Sequence, residues 1–160
     1  MSEVRKSCDA DFKKIRELLT RCYGRIPTDA ILDIGEGRYY ILEKDETILA
    51  IYGLLDPEHS RCHGYELDTC AYVPELVSVD TLAEHIQEIL PSEPECPVYW
   101  WTFNKLALGS VASKLGFQIQ LELTESHVSS FEKSCKNCKY NTPDCFCTWS
   151  LYVLNEVKDS

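Results

Sequence analysis

Val98-Tyr-Trp-Trp-Thr-Phe103 is a nearly unbroken apolar run, short and rich in the aromatic residues that suit a pleated strand. Such a run reads as a strand buried on both faces, and a sheet covered on both faces needs helices packed against it. The flanking sequence supplies them. Before the run, Leu82, Ile86 and Leu90 share one face of a helix, with the capping box Thr81-Leu-Ala-Glu84 at its start. After the run, Asn104 leads into a helix through Leu115, with Leu106, Leu108, Val111, Ala112 and Leu115 inward and Gly116 as its stop.

The rest of the chain extends this pattern. Val4-Arg-Lys6 predicts a short first strand. Phe12, Ile15, Leu18, Leu19 and Cys22 then recur at helical spacing, with Asp9 as the expected cap and Gly24 beyond. Residues 28–34, closed by Gly35, predict a second, shorter helix. Residues 39–43 and 47–55 are strand-like around Lys44-Asp45-Glu46, which reads as a hairpin with a three-residue polar turn. Residues 65–73 and 117–123 alternate as strands, and 149–154 forms the last strand. The order β-α-α-β-β-β-α-β-α-β-β describes one α/β domain over residues 1–160, a mixed central sheet flanked by helices.

Composition narrows the functional classes. The chain has 160 residues, 44% of them hydrophobic and 26% charged, which excludes a disordered or fibrous protein. No stretch approaches the roughly 18 apolar residues of a membrane span. The opening Met-Ser-Glu-Val-Arg-Lys lacks the apolar centre of a secretory signal, so a cytoplasmic location is expected. The net charge of −10 disfavours nucleic acid and anionic membranes as partners. That charge is concentrated: residues 26–97 carry sixteen acids against Arg38, Lys44 and Arg61. An anionic ligand is expected to avoid this segment or to bind it through backbone N–H groups.

Asn104-Lys-Leu-Ala-Leu-Gly-Ser-Val-Ala-Ser-Lys-Leu-Gly-Phe117 resembles the Asn, helix and Lys-Leu-Gly-Phe segment of the GNAT-type acyl-CoA N-acyltransferases. The element order, the opening Val-Arg-Lys-Ser-Cys-Asp-Ala-Asp-Phe and Val73-Pro74-Glu75 resemble the same family. The resemblance implies a GNAT-like sheet whose neighbouring parallel fourth and fifth strands part, here after Val73 and Val98. It further implies acetyl-CoA as the acyl donor, its arm held by the main chain of Cys70, Ala71, Tyr72 and Val73 and by Asn104. Asn104 is equally a good helix N-cap. The acceptor implied is a small amine. Glu66 is the best-placed candidate for a general base, although it reads first as a solvated edge carboxylate.

Two departures from the family pattern stand out. Where the family opens its third helix with Arg or Gln and two small residues around the pyrophosphate, the aligned positions are Val77, Asp80 and Leu82. Asp80 sets a negative charge beside a phosphate, and Leu82 crowds the backbone. Ser78 to Glu84 also reads as an ordinary helix start capped by Asp80 or Thr81. The tyrosine that many members place four residues before the Leu-Gly-Phe glycine, as the acid for the leaving thiolate, is Ala112. Tyr65, Tyr72 and Tyr99 read as core or strand-surface residues. A non-catalytic GNAT-like module therefore stands as the rival to an N-acetyltransferase, with a thiol- or metal-handling protein third.

Nine cysteines complete the picture. Cys8, Cys22, Cys62, Cys70 and Cys96 are scattered and read as small core hydrophobes. Cys135-Lys-Asn-Cys138 and Cys145-Phe-Cys147 crowd a loop between the last two strands. Four thiolates at this spacing suit a closed tetrahedral zinc site. An iron–sulfur cluster, redox-active thiols and unliganded cysteines are the other readings. His59 and His63 flank Cys62 in a polar loop, and His85 and His127 show no partner in the sequence.

Overall fold

The computed structural model describes residues 2–23, 38–60, 62–92, 96–103, 106–124 and 148–155. Its strands are β1 (Glu3–Lys6), β2 (Tyr39–Lys44), β3 (Thr47–Leu55), β4 (Tyr65–Tyr72), β5 (Val98–Phe103), β6 (Gln118–Thr124) and β7 (Thr148–Leu154). Its helices are α1 (Phe12–Tyr23), α2 (Val79–Ile89) and α3 (Leu108–Lys114). The strands form one mixed sheet in the order β1-β2-β3-β4-β5-β7-β6. Every neighbouring pair is antiparallel except β4 and β5. The expected helix over residues 28–34 and the cysteine cluster lie outside the described residues.

Helix α1 begins differently from its sequence expectation. A short 3-10 turn, Asp9–Asp11, precedes it, and the carboxylate that secures this entry belongs to Asp11, not Asp9. Asp11 accepts from the Cys8 backbone N–H at 2.9 Å and from both terminal nitrogens of Arg5 at 2.7 and 2.8 Å. That fork holds the Asp11 carboxyl well below the usual range. Ile15, Leu18, Leu19 and Cys22 point into the core as their spacing requires. Phe12 does not: it lies at the helix start, where it remains exposed.

The hairpin is tighter than its sequence suggests. Lys44 pairs with Thr47, leaving Asp45 and Glu46 alone in a two-residue turn with φ of 49° and 63°. This left-handed geometry matches the twist of the flanking strands. The Lys14 ammonium donates to the Glu46 carbonyl at 2.6 Å and ties the turn to α1.

Helix α2 starts at Val79 and is capped by Ser78, whose hydroxyl accepts from the Thr81 N–H at 3.1 Å. Neither Asp80 nor Thr81 is the cap. Helix α3 is shorter than its apolar spacing predicted. Its N-cap is Ala107, so the helix does not start at Asn104, and Leu106 is buried outside it. Its end follows the sequence: Gly116 adopts φ of +87°, and the Gly116 and Phe117 N–H groups donate back to the Ser113 and Ala112 carbonyls. This crossed pair satisfies the last turn.

One core joins sheet and helices. Ile15 and Leu19 of α1, Ile41 and Ile51 of the hairpin, Leu82 and Ile86 of α2, and Val111 of α3 are fully buried in it. Val98 and Trp100 of β5 belong to the same core, and Trp100 meets Phe117 edge-on at 5.8 Å. Among the described residues no helix is long and apolar enough to cross a membrane.

Candidate active site

The parallel pair β4–β5 is closed at one end only. Tyr65, Glu66 and Leu67 oppose Val98, Tyr99 and Trp100, and the Tyr65 N–H reaches the Pro97 carbonyl at 3.0 Å. Beyond Leu67 and Trp100 the two strands separate. β4 follows β3 as far as Tyr72, whereas β5 follows β7 through Phe103. The parting therefore comes earlier on β4 and later on β5 than the expected Val73 and Val98.

The cause lies in β4. Asp68 opposes Gly53 and Ala71 opposes Ile51, so Thr69 and Cys70 share Tyr52 as their single partner. This bulge bends β4 and sharpens its twist, which carries the strand away from β5. It also resets which main-chain groups point where. The Val73 N–H donates to the Leu49 carbonyl at 2.9 Å, so Val73 and, two residues earlier, Ala71 turn their polar groups toward β3. Tyr72, between them, turns its polar groups away from β3. Cys70, Ala71, Tyr72 and Val73, the four residues expected to hold a ligand's arm through the main chain, thus lie on the parted length of β4 and just beyond it. Asn104, the fifth, lies outside the described residues.

The end of β4 is tied to α1. The Cys22 thiol of α1 donates to the Tyr72 carbonyl at 3.2 Å. Burial and the neighbouring Cys70 push the Tyr72 hydroxyl above its ordinary pKa, and the Ala107 N–H partly opposes them. Burial likewise pushes the Cys70 thiol up, which leaves it an inert core group.

On the sheet face shared by Glu66 and Asp68, Tyr39 is fully buried and donates its hydroxyl to Asp68 at 2.6 Å. Its ring crosses β3 over Gly53. A Cβ at that position would sit 2.6 Å from the ring, so glycine is what lets tyrosine reach the carboxylate. Glu66 is only 1% exposed, which overturns its reading as a solvated edge carboxylate. It lies at the closed end of the gap, opposite Tyr99.

The start of α2 departs from a phosphate cradle. Val77 is buried, and its N–H is taken by the Val73 carbonyl at 2.9 Å. Leu82 is fully buried in the core. Asp80 is ion-paired with Lys114 at the end of α3, so the negative charge at this helix start has a cation beside it. Ala112 is buried in α3 and offers no polar side chain. The start of α2 thus lacks the open, small-residue form that the resemblance implies for it.

The cysteines divide. Cys22 and Cys70 are buried as expected, but Cys8 is exposed and Cys62 and Cys96 are half-buried. Asp56, Glu58 and His59 converge at the surface, where His59 is taken up by Asp56 at 2.7 Å. Cys135, Cys138, Cys145, Cys147 and His127 lie outside the described residues. His85 Nδ1 is buried without a hydrogen-bond partner.

No protein-family model matches the chain, and no curated protein matches it in sequence. Solved structures do match. A GNAT-family acetyltransferase from Bacillus cereus superposes with a TM-score of 0.64 over 99% of both chains, at 15% identity. The ribosomal-protein-S18-alanine N-acetyltransferase from Escherichia coli gives 0.64 over 96% of this chain and 93% of its own, at 13% identity. Arabidopsis thaliana NAA60 in complex with acetyl-CoA gives 0.63 over 96% and 98%, at 10% identity. With its parted parallel strands and its helices in the corresponding order, the chain has the fold of the GNAT-type acetyltransferases.

Proposed function

We propose that this protein transfers an acetyl group from acetyl-CoA to a small amine. The observation that carries the reading is the separation of β4 and β5 beyond Leu67 and Trp100, which leaves the second half of β4 unpaired with β5 along that edge. An extended arm with two amides is chemically suited to such an edge. Glu66, buried at the closed end, is the candidate to take the proton of the attacking amine. The acidic surroundings favour an amine over an anionic acceptor.

Mass action tests the reading. Acetyl-CoA at a hundred times its dissociation constant should stabilise the fold by about 2.7 kcal/mol, seen as a rise in Tm. Release of free CoA in the presence of small amines should follow. The absence of any thermal shift at millimolar acetyl-CoA would overturn the proposal.

A second reading, a non-catalytic module on the same fold, is favoured by Leu82 and Asp80 at the start of α2. It predicts no release of CoA with any amine. On either reading, we assign Cys135, Cys138, Cys145 and Cys147 to a structural zinc site, on their spacing alone.

A further inference from the structure

Cys62 and Cys96 enter neighbouring strands at the same end of the sheet. Cys62 lies just ahead of Tyr65, the first residue of β4, and Cys96 just ahead of Val98, the first of β5. The two strands are parallel with Tyr65 opposite Val98, so both cysteines stand at the closed end of the pair. The chains stay together as they run back from that register. The Tyr65 N–H donates to the Pro97 carbonyl at 3.0 Å, and a Cβ on Gly64 would sit 2.6 Å from the same oxygen. Ahead of Gly64 the chain folds on Ser60, whose hydroxyl donates between the Cys62 and Gly64 carbonyls at 2.7 and 2.5 Å. The Cys62 N–H donates back to that hydroxyl at 3.1 Å. This turn keeps Cys62 near the approach of Gly64 to Pro97, and Cys96 is the residue before Pro97.

We propose that Cys62 and Cys96 form a reversible disulfide that staples the closed end of the β4–β5 pair. Neighbouring strands lie about 4.8 Å apart, and a disulfide joins Cα atoms roughly 4.4–6.8 Å apart, so chains that meet at Gly64 and Pro97 run at the spacing a disulfide spans. Both cysteines are half-buried, within reach of a small oxidant, whereas Cys22 and Cys70 are buried. Cys8 lies beside β1 at the edge of the sheet, with its thiol donating to Asp11 at 3.4 Å. The oxidant is a low-molecular-weight disulfide such as glutathione disulfide. One protein thiol loses its proton to solvent, and its thiolate attacks a glutathione sulfur; the sulfur–sulfur bond breaks with its electron pair going to the departing glutathione thiolate. The second protein thiolate then attacks the protein-bound sulfur of this mixed disulfide and expels the other glutathione. Two protein thiols are oxidised, one glutathione disulfide is reduced to two thiols, and the two protons end on the glutathiones. The inference is independent of the acyltransferase reading.

The experiment takes the full chain, reduces it, and equilibrates the folded protein in glutathione buffers with a rising share of glutathione disulfide. Digestion with pepsin in acid, without reduction, stops exchange, and mass spectrometry maps the linked peptides. The expected result is a peptide pair joined through Cys62 and Cys96 that disappears on reduction. Cys62→Ser and Cys96→Ser should each lack this link and hold glutathione on the remaining cysteine, since the partner that would resolve the mixed disulfide is gone. Oxidised wild type should melt a few degrees above reduced wild type, because the link closes residues 62–96 into a loop and constrains the unfolded chain. Neither variant should show that rise.

Glutathione carried on both cysteines of oxidised wild type, with no link between them, would overturn the inference. So would links that join Cys62 or Cys96 to other cysteines in preference to each other. A Cys62–Cys96 link that forms only in urea-unfolded chain, or that lowers Tm, would show that the fold does not hold the two sulfurs together, and would overturn it as well. None of these outcomes bears on acetyl-CoA, so the acyltransferase reading stands or falls separately.

Discussion

Lys114, the last residue of α3, forms an ion pair with Asp80 in the first turn of α2. The two helices that follow the parted strands β4 and β5 are thereby joined by opposite charges. Both side chains are well exposed, so the pair itself contributes at most about 1 kcal/mol to stability. Its larger consequence is electrostatic: Asp80 draws on the cation that an anionic ligand would use.

Removing the acid should therefore free Lys114. Asp80→Asn is expected to tighten acetyl-CoA binding by about fivefold, and Lys114→Ala to weaken it by a similar factor, as one exposed charge contributes about 1 kcal/mol at close range. Calorimetric titrations at about 50 and about 300 mM salt check this, since both effects should shrink as screening grows. Identical affinities for the two variants at low salt would count against a phosphate at this helix pair.

The contact between Tyr39 and Asp68 across Gly53 makes a separate prediction. Gly53→Ala places a methyl group against the Tyr39 ring and should destabilise by about 1–3 kcal/mol through overpacking. Tyr39→Phe removes the hydrogen bond without adding volume and should cost about 1 kcal/mol. Urea unfolding of the two variants measures both. A stability loss for Tyr39→Phe as large as that of Gly53→Ala would mean that the carboxylate, and not the space above Gly53, controls this contact.

What the sequence displayed was governed by periodicity, and what it concealed was governed by pairing. The strands and the α2 helix were legible because Val98 to Phe103, the hairpin and the Leu82–Ile86 face carry their burial in their spacing. Gly116 announced the end of α3 through the one backbone conformation that favours glycine. The start of α3 was not legible, since Leu106 is apolar and buried without being helical. The parting point escaped because a bulge depends on the register of β4 against β3, which no local pattern at Thr69 and Cys70 reveals. Glu66 misled for a related reason: a charged residue in an alternating strand reads as solvent-facing, and here both neighbouring strands and the packed layers cover it. Tyr72 looked like a core residue and is one.

The cysteine-rich segment makes a prediction that the sequence alone supports. Four thiolates in Cys-x-x-Cys and Cys-x-Cys pairs at 135–147 should hold about one zinc per chain. Metal analysis should find that stoichiometry, and a thiol count before and after chelation should rise by about four as the sulfurs are released. Iron in place of zinc, or a full thiol count before chelation, would remove the structural-zinc assignment. Cys138→Ser should lower the zinc content and should leave the β1-to-β5 part of the sheet intact by circular dichroism.

Acid should unfasten the entry to α1. The Asp11 carboxyl is held below its ordinary value first by the hydrogen bonds from Arg5, with the Cys8 N–H adding to them, while burial opposes both. A carboxyl whose pKa is lower in the folded than in the unfolded chain stabilises the fold fully above its unfolded value, about pH 4. That contribution is lost as pH falls from there through the depressed folded value. Asp11→Asn removes it at every pH, so the variant should be less stable than wild type by about 1–2 kcal/mol at pH 7. The difference should narrow progressively below about pH 4, where the wild-type group begins to take up its proton. Arg5 is partly exposed, and salt should reduce the neutral-pH difference without abolishing it. Guanidinium would mask the ion pair, so the series is best read by urea unfolding between about pH 2.5 and 7. A difference that stayed constant across this range would show that Asp11 acts through the neutral hydrogen bond to Cys8 and not through its charge.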